Sequence, residues 1–186
     1  MRIIAGDWRG RRLAAVGKGD AGAHLRPTTD RVRESLFSML AGGRFGDPIS
    51  GARVLDLFAG TGALGLEALS RGAAEAVFVD DGRVAQKLIR QNIATLDAGD
   101  RAKLIGRNAT HLGACPGEPH TLVFCDPPYG KGLGEKALAA ALAGGWIGPE
   151  ALVVWEESAE VSPPDGLVPI DTRRYGASFF HILEAA

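Results

Sequence analysis

Two cysteines in 186 residues, Cys115 and Cys125, are too few for a disulfide framework or a cysteine-rich zinc site. The four histidines, His24, His111, His120 and His181, show no ligand spacing, so no metal is expected. No apolar run approaches the roughly 18 residues of a membrane-spanning helix, which argues against membrane insertion. The opening Met1-Arg2-Ile3-Ile4-Ala5-Gly6-Asp7-Trp8-Arg9 lacks the apolar stretch of a secretory signal, so a cytoplasmic location is expected. There is no internal repeat and no low-complexity tract. The length suits a single compact domain of roughly 100 to 200 residues, and a monomer is the expected form.

Net charge is also nearly absent, but the total of −1 hides an asymmetry. Residues 1–33 hold eight Lys and Arg against three Asp, which is +5 and leaves −6 for the rest. Arg2, Arg9, Arg11, Arg12, Arg26 and Arg31 belong to this set. A basic arm over residues 1–25 on an acidic body over 26–186 points to a face that prefers polyanions, nucleic acid among them. The plainer alternative is a solvated arm that aids solubility.

From about residue 30, helical and strand-like segments alternate. Val32, Leu36, Met39 and Leu40 form one apolar stripe of a helix over Asp30–Leu40, with Pro27-Thr28-Thr29 before it and Gly42-Gly43 after it. Short apolar runs at 52–58, 76–79, 102–105, 122–125 and 151–155 read as buried strands. Helical spacing falls at 63–71, 83–96 and 135–142. The tail, Leu167–Arg173 and Ser178–Leu183, reads as a closing hairpin. This pattern predicts an α/β fold with a doubly wound, mainly parallel seven-stranded sheet and a C-terminal antiparallel hairpin. Segments around Gly6 and Gly10 read as a small N-terminal β-ribbon outside the core.

Gly60-Thr61-Gly62-Ala63-Leu64-Gly65 is a G-x-G-x-x-G at a strand-to-helix turn, where glycine lets a ligand approach the backbone. Asp80, twenty residues past Gly60 and ending the next strand, suits a ribose diol, so a nucleoside-containing cofactor is expected. Asp56, four residues before Gly60, would repel a pyrophosphate and welcome a cationic amino group. That favours S-adenosylmethionine over a dinucleotide. The competing reading has Asp56 merely capping the following helix.

Asp126-Pro127-Pro128-Tyr129 follows the buried run Val123-Phe124-Cys125. The Asp126 carboxylate and the Pro127 carbonyl suit the two hydrogens of an exocyclic amine. Tyr129 offers a face for base stacking, worth roughly 1–3 kcal/mol. An ordinary Asp-Pro-Pro turn is the competing reading.

Asp56-Leu57-Phe58-Ala59-Gly60-Thr61-Gly62 together with Asp126-Pro127-Pro128-Tyr129 resembles the class I S-adenosylmethionine-dependent amino-methyltransferases. The start Met1-Arg2-Ile3-Ile4-Ala5-Gly6 and the block Arg26-Pro27-Thr28-Thr29-Asp30-Arg31-Val32-Arg33-Glu34 narrow this to the RsmD-type family. The resemblance runs over essentially the whole chain. It implies methylation of a guanine N2 in 16S ribosomal RNA of the small ribosomal subunit. It also implies that Asp56, Phe58, Gly60 and Gly62 line the methionine end of S-adenosylmethionine and that Asp80 takes the ribose. Asn108-Ala109 stand where the family usually has an acidic residue before Ala at the adenine amino group, and Gly17–His24 looks longer and looser than the family pattern.

Three rivals remain: an adenine-N6 methyltransferase on DNA or RNA, an NAD-dependent oxidoreductase, and a non-catalytic RNA-binding assembly factor. The short chain without a target-recognition domain counts against the first. Asp56 and the D-P-P-Y loop count against the second, and intact Asp126 and Tyr129 against the third.

Overall fold

The computed structural model describes residues 1–17 and 28–186. Arg26, His24, the Gly17–His24 segment beyond Gly17 and the expected boundary at residue 25 lie outside the described residues.

The chain enters helix α1 (Asp30–Ala41), which starts where the Thr29 hydroxyl accepts the Val32 N–H at 3.3 Å. Alternation follows as β1 (Arg53–Leu57), α2 (Ala63–Ser70), β2 (Glu75–Val79), α3 (Arg83–Thr95) and β3 (Ala102–Ile105). After a single 3₁₀ turn (Ala109–His111) come β4 (His120–Cys125), α4 (Leu133–Ala143), β5 (Ile147–Glu157), β6 (Leu167–Tyr175) and β7 (Ser178–Ala185).

Among the described residues these strands form one seven-stranded sheet in the order β3-β2-β1-β4-β5-β7-β6. The first five are parallel, and β7 inserts antiparallel between β5 and β6. The helices cover both faces. Leu36, Phe37 and Leu40 of α1, Leu64, Leu66 and Leu69 of α2, and Ile89 of α3 pack with Phe78, Phe124 and Phe180 on one face. Ala137, Leu138 and Ala141 of α4 pack with Val123, Val153 and Trp155 on the other. Each fully buried Leu or Phe contributes about 1.5–3 kcal/mol. The α1 stripe is rotated from the expected one, because Arg33 and Phe37 are buried where Val32 and Met39 are only partly so.

The N-terminal ribbon is reduced to one antiparallel bridge, Arg2 to Arg12. It is not outside the core, since Ile3 is 1% exposed and Leu13 6%. Buried polar side chains fasten it. Glu67 accepts the N–H groups of Ile4 and Ala5, Ser70 Oγ accepts the N–H of Trp8, and Asn92 Oδ1 accepts that of Ala14. The Ile3, Gly10 and Leu13 N–H groups bond across the ribbon, and α2 and α3 satisfy groups that the ribbon itself leaves unpaired.

Candidate active site

Two loops leave the sheet from adjacent paired residues. Leu57 ends β1 and Cys125 ends β4, and the two are partners in the parallel register. The sequence moves outward to β2 and β3 from one side of this seam and to β5 from the other. Such a reversal opens a crevice at the carboxyl ends of the strands. The glycine loop and the D-P-P-Y loop therefore face each other by topology, and the Asp126 N–H reaches the Leu57 carbonyl at 3.4 Å.

Left-handed backbone shapes the first loop. Phe58 (φ 57°) and the glycines 60 (φ 61°) and 62 (φ 80°) all adopt it. For Phe58 this conformation costs about 1–3 kcal/mol, a strain that such sites commonly hold. The Ala59 N–H bonds the Val79 carbonyl at 3.1 Å, tying the loop to the end of β2. At Gly65 the reason for glycine is packing, because an added Cβ would meet the Phe78 ring at 2.5 Å.

Asp56 is buried, and its Oδ2 accepts the Gly65 N–H at 3.0 Å. The helix-capping role is therefore real. Burial, with a smaller push from Asp80, raises its pKa to about 8. Asp80 accepts the Gly60 N–H at 3.0 Å and the Gly82 N–H at 2.8 Å, and burial raises its pKa also. Two desolvated carboxyl groups thus lie near each other as hydrogen-bond acceptors, and a cation rather than a phosphate would offset the cost of their ionised forms.

In the second loop Asp126 is half-buried and Pro127 is buried. The Tyr129 hydroxyl donates to Glu156 and lies 2.8 Å from Ser178 Oγ. Burial and the Glu156 carboxylate push the phenol pKa up, so it stays neutral. Glu156 and Glu157 are buried at the end of β5. Sequence reasoning missed them, since only their position after an apolar run marks them off from surface glutamates.

Asn108 stands at the end of the β3 loop, where its Oδ1 accepts from both the N–H and the hydroxyl of Thr110. Its neighbour Ala109 is buried against the α4 side of the sheet. Arg2, Arg9, Arg11, Arg12 and Arg31 are exposed, and Arg11 donates to the Thr95 carbonyl. Trp8 packs on the core with Arg101 over its ring at 5.1 Å. No helix among the described residues is long and apolar enough to cross a membrane. His120 is buried against Trp146, with its Nδ1 2.9 Å from the Trp146 carbonyl.

The profile of the family described as Conserved hypothetical protein 95 matches residues 1–184. The curated ribosomal RNA small subunit methyltransferase D of Escherichia coli K12 is 47% identical over 165 residues, covering 88% of this chain and 78% of that one. The chain belongs to the RsmD-type methyltransferase family. A second member bearing the same name, from Haemophilus influenzae, is 36% identical over 159 residues, covering 84% of this chain and 78% of its own length. The solved structure of Escherichia coli yhhF superimposes with a TM-score of 0.83 at 40% identity, over 100% of this chain and 97% of that one. The RsmD-type assignment and the class I Rossmann-like sheet thus agree.

Proposed function

We propose that this methyltransferase uses S-adenosylmethionine to methylate the exocyclic N2 of a guanine in 16S ribosomal RNA. The observation that carries the reading is the pairing of Leu57 with Cys125, which sets the glycine loop beside Asp126-Pro127-Pro128-Tyr129. The family relationship supports the ribosomal RNA substrate.

The residues present fit this cofactor. Asp56 and Asp80 offer carboxylates for an ammonium and a ribose diol, and the open backbone at Gly60 and Gly62 admits close approach. Phe58 walls the methionine end. With Oδ1 engaged by Thr110, Asn108 is left to donate from Nδ2, which suits a ring nitrogen of adenine rather than its amino group. When bound, S-adenosylmethionine supplies an electrophilic methyl group on a sulfonium.

The chain's own work is on the base. A guanine amine is a poor nucleophile because its lone pair is delocalised into the ring. Asp126 and the Pro127 carbonyl accept hydrogen bonds from its two N–H groups and aim the nitrogen lone pair, a charge-assisted bond being worth roughly 1.5–3 kcal/mol, and the proton shed as the N–C bond forms passes to Asp126 or to water. Alignment against the methyl group supplies more, up to about 7–11 kcal/mol in favourable cases. Tyr129 stacks on the base, which must leave its helix to enter the crevice. Exposed arginines of the ribbon hold phosphates.

The test is transfer of a labelled methyl group to small ribosomal subunits lacking base methylation, with naked ribosomal RNA and duplex DNA alongside. N2-methylguanosine in the ribosomal samples is expected. N6-methyladenine, or label on DNA, would overturn the substrate, and cofactor binding without any label would overturn the enzyme.

A further inference from the structure

Glu156 joins three segments that are far apart in the chain. Its Oε1 accepts the Tyr129 hydroxyl, and its Oε2 accepts the Thr28 hydroxyl at 3.3 Å. Ser178 Oγ touches the same Tyr129 oxygen at 2.8 Å. Thr28 precedes α1, Tyr129 follows β4, and Ser178 opens β7. A buried carboxylate is costly unless donors compensate it, and here the side chains that donate to it are hydroxyls, with no ion pair to Glu156 among the described residues.

Its neighbour acts on the next residue of the same loop. Glu157 accepts the Gly130 N–H at 3.3 Å and the Ser158 N–H at 2.8 Å. Successive strand residues point to opposite faces of a sheet, so the two glutamates grip Tyr129 and Gly130 from opposite sides. A tyrosine side chain can swing between rotamers about its χ1 bond, and the bonds of its hydroxyl to Glu156 and Ser178 hold the far end of the ring in one of them.

We infer that Glu156 is a positioning residue: it fixes the Tyr129 ring as the wall on which the target base stacks, and Thr28 anchors it to the start of α1. This rests on the base-methylation reading above and deepens it. Part of the Arg26–Glu34 block thereby acts on the catalytic loop rather than on RNA phosphates. A pocket whose wall is preset loses less on ordering when the base arrives, so the gain falls on the aligned complex.

The experiment compares Thr28→Val, Thr28→Ser, Glu156→Leu and Tyr129→Phe in the full chain. Thr28→Val keeps the shape and loses the hydroxyl, and Thr28→Ser restores it. Hydrogen exchange at the Gly130 amide, whose N–H bonds Glu157, should quicken about tenfold in Thr28→Val and Glu156→Leu, with β1 and β4 unchanged and Thr28→Ser like wild type. In methyl transfer, kcat should fall about tenfold in the three disruptive variants while KM for S-adenosylmethionine holds. The Tyr129→Phe/Glu156→Leu double variant should lose little beyond either single one. Exchange that is unchanged at the loop, or raised throughout the sheet, overturns the proposal. Because exchange needs no turnover, a wild-type chain that transfers no methyl group refutes the activity while the exchange result still decides the positioning.

Discussion

Asp56 Oδ2 accepts the backbone N–H of Gly65 at 3.0 Å, joining the end of β1 to the first turn of α2. One carboxylate therefore caps α2 and, in the proposed reading, also meets the cationic ligand. These two duties pull in different directions, because capping tolerates a neutral acceptor and a cation requires the ionised form.

The pH dependence of cofactor binding follows. With a pKa of about 8, Asp56 is mainly protonated in the free chain at neutral pH. Affinity for S-adenosylmethionine should rise as pH rises toward about 8 and then level off. Calorimetric titration across that range checks this, and Asp56→Asn should bind weakly with a flat profile. A wild-type profile as flat as the variant's would show that Asp56 does not meet the cation.

Stability should move the opposite way. The folded chain keeps a proton on Asp56 that the unfolded chain, at 3.8, releases, so stability from this group falls as pH rises from 3.8 to about 8 and then stays level. Asparagine retains an acceptor for Gly65 without the buried charge. Above pH ~8, Asp56→Asn should therefore melt higher than wild type in thermal scans. A lower melting temperature there would mean that the charge itself stabilises the cap.

Asp126→Ala should lose methyl transfer by roughly 10²-fold or more while S-adenosylmethionine binding persists, since the side chain is assigned to the base and not to the cofactor. Parallel turnover and binding assays separate the two. Near-normal turnover would remove Asp126 from the mechanism.

Gly6 and Gly10 make a matched pair. Both have positive φ (83° and 82°), but a Cβ at Gly6 would meet the Ser70 carbonyl oxygen at 1.8 Å, whereas at Gly10 nothing lies within 4 Å. Gly10→Ala should cost about 1–2 kcal/mol, from the left-handed backbone alone. Gly6→Ala should cost that and a further 1–3 kcal/mol, by displacing the ribbon from α2. Denaturant titrations give both values, and equal costs would show that the ribbon yields freely.

Two kinds of arginine should separate in salt-dependence experiments. Arg9 and Arg12 are exposed, so Arg9→Ala or Arg12→Ala should weaken RNA binding and reduce the salt slope by about one for each phosphate no longer neutralised. Arg33 is 0% exposed and sits 3.0 Å from Asp30 and 3.6 Å from Glu67, which also pairs with Arg71 at 2.8 Å. Arg33→Met should leave the salt slope unchanged and cost about 3–5 kcal/mol of stability, because Glu67 stays buried with one partner fewer.

That contrast between arginines marks where reading along the chain stops. By itself the sequence determined the alternation of elements, the doubly wound sheet with its closing hairpin, and the two loops bearing Gly60-Thr61-Gly62 and Asp126-Pro127-Pro128-Tyr129. These rest on periodicity and on local chemistry at strand ends, which act over a few residues. Only the tertiary structure decided the partners of buried polar groups. Arg33 counts as one more basic residue until Glu67 is brought against it, and Ile3 and Leu13 belong to a loose arm until α2 and α3 satisfy its backbone. Glu156 is an ordinary strand-end acid until Thr28, 128 residues away, and Tyr129 converge on it. A charge in water and a charge in the core have the same letter in the sequence. What separates them is desolvation, and desolvation is set by whatever the fold packs around the group.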